Sequence, residues 1–166
     1  MFSIDVSNLH WLGGENDTAD LCAHGDMVAT IGDEKLEFSG TASSTAIYLL
    51  KTLTEDHLIG EGNQMMPCCG NFLMANEKMD NVQIMGCPNG VDWEVTHIGD
   101  KINIRTEAGN EVQVGFEDYK RAVFYFADKV EEFYKSAPAK KLPIDEHDKN
   151  GYIAFWNEWN RRRYGK

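Results

Sequence analysis

Residues 91–114 read VDWEVTHIGDKINIRTEAGNEVQV, and this stretch decides the fold class. Val91, Trp93 and Val95 alternate with Asp92, Glu94 and Thr96, a period of two that turns one side of a strand toward a core. Gly99-Asp100 turns the chain, and Ile102 and Ile104 continue the same period. Ala108-Gly109-Asn110 turns it again, into Val112 and Val114. Three short strands joined by tight turns make an antiparallel meander.

Downstream the period changes. Tyr119, Val123, Phe126, Ala127, Val130, Phe133 and Tyr134 recur at helical spacing and give a wide apolar face. Glu117-Asp118 suit the first turn, and Glu117/Arg121 and Glu131/Lys135 are favourable pairs four residues apart. Pro138 stops this helix, and residues 139–145 form an extended linker. Tyr152, Phe155, Trp156 and Trp159 then define a second helical stripe, with Arg161, Arg162 and Arg163 complementing the negative end of its dipole. So heavy an aromatic face must be covered. The long helix or the meander would do this, or else a partner's groove or a second copy of the chain.

Upstream, Phe2, Ile4 and Val6 alternate with Ser3, Asp5 and Ser7. Leu21 to Ala23, a turn at Gly25-Asp26 and then Met27 to Ile31 read as a hairpin. A second turn at Gly32-Asp33-Glu34-Lys35 returns the chain through Leu36 to Phe38. From Thr41 to Glu55, Ala42, Ala46, Leu49, Leu50 and Leu53 share one helical stripe, with Ser39 or Thr41 as cap. Residues 56–80 read as an irregular connection with a strand near Phe72–Met74. The expected architecture is a single α+β domain over residues 1–166. Antiparallel sheets of short strands are covered by one middle helix and two C-terminal helices.

The chain has 166 residues, 16 Lys+Arg against 27 Asp+Glu, and a formal charge of −11. Residues 1–100 carry −13 and residues 101–166 carry +2, and the first 34 residues hold seven acids with no Lys or Arg. Such a field repels phosphate backbones and anionic lipid, so nucleic-acid and membrane partners are disfavoured. It would speed encounter with a basic protein, and it also serves plain solubility. No apolar run approaches the ~20 residues that span a bilayer. The opening MFSIDVSNLHW has no basic residue, unlike a signal peptide, so a cytoplasmic protein is expected.

The candidate chemical groups are few. Cys22, Cys68, Cys69 and Cys87 form no C-x-x-C pair, and thiols are expected in a cytoplasmic chain. If a disulfide or metal site forms, Cys68 or Cys69 with Cys87 is the pair of choice, because both positions adjoin Pro/Gly turns. Zinc held by these three cysteines and one of His10, His24, His57 or His97 is the metal alternative. Asp92 and Glu94 share a strand face and could hold a hard cation, although the wet side of any amphipathic strand has this pattern. His97 falls on the opposite face. No phosphate loop, nucleophile elbow or H-E-x-x-H helix occurs, which weighs against an enzyme.

Pro67-Cys68-Cys69-Gly70, Gly86-Cys87, Val91-Asp92-Trp93-Glu94-Val95 and the aromatic helices that follow resemble small bacterial proteins of unassigned function. In those proteins a Cys/Gly-rich turn precedes a Trp-bearing strand. The resemblance spans roughly residues 65–160 and implies a bacterial α+β domain, with no activity attached. Size, acidity and absent catalytic motifs point to a protein-binding module without a cofactor, in its sharpest form an immunity or antitoxin-like protein that neutralises a basic partner. Its candidate contact residues are Asp17, Asp20, Asp26, Asp33, Glu34, Trp156 and Trp159. The alternatives are a small Cys-dependent metal-binding or enzymatic protein using Cys68, Cys69 and Cys87, and a structural homodimer.

Overall fold

The computed structural model describes every residue except Glu61, Asn71 and Cys87. In chain order the strands and helices are β1 (Phe2–His10), β2 (His24–Ile31), β3 (Glu34–Thr41), α1 (Ala42–Lys51), β4 (Met66–Pro67), β5 (Phe72–Ala75) and β6 (Val82–Met85). These are followed by β7 (Gly90–Val91), β8 (Trp93–Ile98), β9 (Lys101–Thr106), β10 (Glu111–Gly115), α2 (Phe116–Ser136) and α3 (Glu146–Tyr164). One sheet has the order β1-β2-β3, a second the order β10-β9-β8, and β4–β7 and β5–β6 form two small antiparallel pairs. The chain is an α+β fold with one middle and two C-terminal helices.

The meander forms as its period dictates. Trp93, Val95, Ile102 and Ile104 are all fully buried, and the turns fall at Gly99-Asp100 and 107–110. The N-terminal sheet differs in one turn. Gly25-Asp26 lies inside β2, where Gly25 pairs with Gly40, and residues 11–23 make the connection from β1. Gly25 serves close packing rather than turning, since a Cβ there would sit 2.8 Å from Val6 Cγ2. The second expected turn does form, with Gly32 at φ +63°.

Helix α1 is the centre of the molecule, because Ala42 through Leu50 are buried on every side. Its small residues allow that approach, and Ser44 Oγ satisfies itself by donating to Gly70 O at 2.9 Å. Thr41 is the N-cap, as expected, but its side chain makes no cap hydrogen bond. The helix ends at Lys51 rather than Glu55. Thr54 N returns to Lys51 O in a turn, and Arg162 of α3 binds both Thr54 Oγ1 and the Glu55 carboxylate. Those contacts draw the chain off the helix axis.

On α2, Tyr119, Val123, Phe126, Ala127 and Val130 are buried. Glu131 pairs with Lys135 at 2.9 Å as its spacing predicts. Glu117 instead meets Lys120, and Arg121 meets Asp118, so that expected pair is replaced by neighbours three apart. Asp145 caps α3 by accepting from Asp148 N at 3.1 Å, and Gly165 ends it in the left-handed region at φ 70°.

The aromatic face of α3 is covered within the chain. Trp159 is fully buried and Phe155 nearly so, while half-buried Trp156 meets Tyr134 of α2 edge-on at 4.9 Å. The main cover is β5 together with α1 rather than the meander. Gly151 sets that contact, since a Cβ there would lie 2.0 Å from Leu73 O. Gly151→Ala is therefore expected to lower stability by about 1–3 kcal/mol, read as a fall in the urea midpoint at unchanged slope.

Candidate functional site

The acids expected to form one surface are divided over the two ends of the N-terminal sheet. Asp17 and Asp20 organise the 11–23 loop. Asp17 accepts from Ala19 N at 2.8 Å and Asp20 N at 3.2 Å, and Asp20 accepts from Leu12 N at 2.8 Å and Cys22 N at 3.0 Å. Hydrogen bonds from the Ala19 and Asp20 amides hold the Asp17 carboxyl below its ordinary range. Lys140 closes the loop from the linker, donating to Asp17 O at 2.6 Å with its ammonium 3.1 Å from the Trp11 ring centre. These carboxylates are backbone ties. Asp20→Lys is thus expected to cost about 1–3 kcal/mol in chemical denaturation, where a spare surface acid would be neutral.

Asp26 accepts from Asn8 Nδ2 at 2.6 Å and Ser39 Oγ at 2.5 Å, crossing all three strands of the sheet. Glu34 lies at the far end, paired with Ile31, which is about 17 Å along β2 from Asp26 at strand rise, and Asp33 adjoins it in the turn. There Glu34 Oε2 accepts from Thr106 Oγ1 and Asn110 Nδ2, both at 2.6 Å. Those two bonds lower the Glu34 pKa and bracket the β2–β3 turn to the β9–β10 turn. Exposed Asp33, Glu107 and Glu111 adjoin the bracket, so two turns from opposite halves of the chain make one acidic end. Sequence spacing could not find it, because Glu34 and Asn110 lie far apart along the chain.

A cleft lies elsewhere, at the C-terminal end of α1, with a volume of about 270 Å³. Lys51, Asp56, His57, Asn63, Asn81 and Gln83 supply its polar lining. His57 exchanges both backbone hydrogen bonds with Val95, at 2.8 and 2.9 Å, adding a rung to the open edge of β8. Its Nε2 meets Asp92 Oδ1 at 2.8 Å, and Asp92 also accepts from Met65 N and Trp93 N, each at 3.0 Å. Asp92 is 5% exposed, which corrects its placement on a wet strand face. His57 and Met65, brought over from the connection after α1, supply those contacts. Glu94 points to Arg105, its Oε2 2.8 Å from Nε, so the two carboxylates do not form a joint cation site.

Beside this pair, Asp56 Oδ1 takes His97 Nδ1 at 2.7 Å and His97 N at 2.9 Å, so Asp56-His57 is clipped to β8 by two crossed Asp–His pairs. The hydrogen bond from the His97 ring, more than anything else, lowers the Asp56 pKa. A depressed folded-state pKa adds stability that is fully present above the unfolded value and lost as pH falls through the folded one. Stability is therefore expected to fall as pH drops below the ordinary carboxylate range, and Asp56→Asn should flatten that limb of a urea-midpoint-against-pH curve. Chemically, the cleft offers amide and carboxylate groups around an imidazole whose Nε2 is fixed by a buried carboxylate.

The cysteines divide into two environments. Cys22 is buried with its thiol 3.7 Å from Gly70 O, and burial pushes its pKa up to about 12. Cys68 carries a disulfide, which corrects the expectation of thiols throughout. Cys69 Sγ lies 3.7 Å from Cys68 Sγ, and Cys87 of the expected pair lies outside the described residues. Among the described residues, no three His, Cys, Asp or Glu side chains are placed to hold a metal ion, and no helix is long and apolar enough to cross a membrane. No family model, curated protein or solved structure matches the chain.

Proposed function

We propose that this chain is a cytoplasmic protein-binding module for a cationic protein, in its sharpest form an immunity or antitoxin-like protein. The observation that carries the reading is the Glu34 bracket, which holds Asp33, Glu107 and Glu111 on two apposed turns. Away from this end, Lys129 pairs with Asp5, Lys135 with Glu131, Arg162 with Glu158 and Arg163 with Asp128, and beside it Lys35 and Arg105 pair with Glu37 and Glu94. The net charge of −11 is thus left on exposed acids, and a rigid acidic end suits docking of a basic surface with little ordering cost.

The test is affinity capture with the intact protein, followed by association kinetics at two ionic strengths. A basic partner should associate more slowly at higher salt, because charges beyond the ~10 Å Debye length at 0.1 M are screened. The double change Asp33→Lys with Glu107→Lys should slow association further while leaving the melting temperature unchanged. Recovery of an acidic partner, or rates indifferent to salt and to these reversals, would refute the reading. The dimer alternative has less support, since Trp159 is buried inside the chain.

A further inference from the structure

We infer that the cleft at the C-terminal end of α1 is a binding site for a guanidinium cation, with His57 Nδ1 and the Asp56 carboxylate as its acceptors. Both residues line the cleft, together with Asn63, Asn81 and Gln83. An ionised carboxylate only accepts, so Asp92 Oδ1, 2.8 Å from His57 Nε2, fixes the hydrogen on Nε2. Neutral imidazole then keeps its lone pair at Nδ1. That nitrogen makes no hydrogen bond among the described residues and keeps contact with solvent, which here is the solvent of the cleft. The ring is held in place from two sides. Val95 exchanges both backbone hydrogen bonds with His57, and Asp92 is itself pinned by Met65 N and Trp93 N.

Asp56 supplies the charge. Its Oδ1 is spent on His97, whose ring and backbone amide both reach it, while Oδ2 makes no hydrogen bond among the described residues. Glu55 adds a second carboxylate to the lining, shared with Arg162. Lys51, the cation among the lining residues, stands 2.9 Å from fully buried Glu158 and is neutralised there. The cleft is therefore rich in acceptors and negative in charge, which disfavours phosphates and carboxylates and favours a cation with N–H groups. A guanidinium suits it better than an ammonium. Its five donors can meet an imidazole lone pair, a carboxylate oxygen and an amide oxygen from different directions, and it is less strongly hydrated. Tyr48, Met65, Val82 and Ile84 give the cleft an apolar wall for the stem that carries the cation. The site lies apart from the Glu34 end and does not depend on the basic partner proposed there.

The experiment is an NMR titration of the isotopically labelled full-length protein at about pH 8, above the ordinary imidazole range, followed through imidazole nitrogens and backbone amides. The probes are agmatine, as a free guanidinium, and an acetyl-Gly-Arg-Gly-amide peptide, as a protein arginine, with the lysine peptide as control. Before any addition His57 should show the Nε2–H tautomer. The Nδ1–H tautomer would overturn the inference with no variant needed. On titration, His57 Nδ1 and the amides of Asp56, His57 and Asn63 should shift together and saturate in roughly the millimolar range. Tighter binding of agmatine assigns a small-molecule ligand, and tighter binding of the arginine peptide assigns a protein side chain. Asp56→Asn keeps the oxygen that His97 uses and turns the other into an N–H donor, so affinity should fall at least about tenfold. Asp33→Lys with Glu107→Lys should leave affinity within about twofold, since screening separates that end from the cleft. The inference is overturned if neither probe gives a saturable shift by about 50 mM, if the lysine peptide binds equally well, or if Asp56→Asn binds unchanged. It is equally overturned if the Asp33/Glu107 reversals abolish binding, because general acidity would then be the cause. Failure here leaves capture of a basic protein at the Glu34 end standing, and failure of that capture leaves the cleft standing.

Discussion

Glu158→Ala is expected to destabilise the protein by about 3–5 kcal/mol, the characteristic cost of breaking a buried ion pair from one side. Glu158 is completely buried at the join of α3, α1 and β6. Its carboxylate accepts from Val82 N at 2.7 Å, Arg162 Nε at 2.7 Å, Lys51 Nζ at 2.9 Å and Asn81 Nδ2 at 3.2 Å. Alanine would leave Arg162 Nε, on a side chain that is 4% exposed, and the Val82 amide without their acceptor, while the rest of the guanidinium keeps Thr54 and Glu55. Glu158→Gln keeps an acceptor for one or two of these donors and should cost less, separating loss of charge from loss of hydrogen bonds. Urea unfolding followed by tryptophan fluorescence reads both. A loss below about 1 kcal/mol for alanine would show that the network is not energetically engaged.

Trp159→Ala should cost a similar ~3–5 kcal/mol, because a fully buried indole is removed and the cavity is lined by rings that cannot collapse together. Phe155 and Trp156 flank it at centroid distances of 5.6 and 5.3 Å. Truncation after Pro143 removes the whole helix, uncovers β5 and α1, and should abolish cooperative melting. A truncated chain that melts normally but no longer captures its partner would instead assign α3 to an interface. Since Glu158 and Trp159 are adjacent, their double substitution should cost less than the sum of the two.

Legibility in the sequence followed the range of the contacts concerned. The meander, α2 and the existence of α3 were all readable, since each has a period that a dozen residues carry by themselves. Gly25-Asp26 misled because a glycine that turns a chain and one that admits a neighbouring side chain look alike along the sequence. Asp92 misled in the same way. Strand alternation places it on the wet face, yet His57 and Met65 reach that carboxylate and bind it. Asp17 and Asp20 read as free charge, and whether a carboxylate is spare or tied depends on which amides the loop presents to it.

By itself, then, the amino-acid order determined the fold class, the meander, the helix stripes and the uneven charge, because these depend on local period and on counting. Only the tertiary structure decided what those features serve. It placed α1 at the centre, gave α3's aromatic face to β5, joined Glu34 to Asn110, and set His57 on Asp92. Each of these pairs positions far apart in sequence. Closing such a loop costs entropy that grows only slowly with its length, so sequence distance carries little information about which distant residues will meet. Burial and hydrogen-bond satisfaction make that choice, and both are properties of the assembled fold.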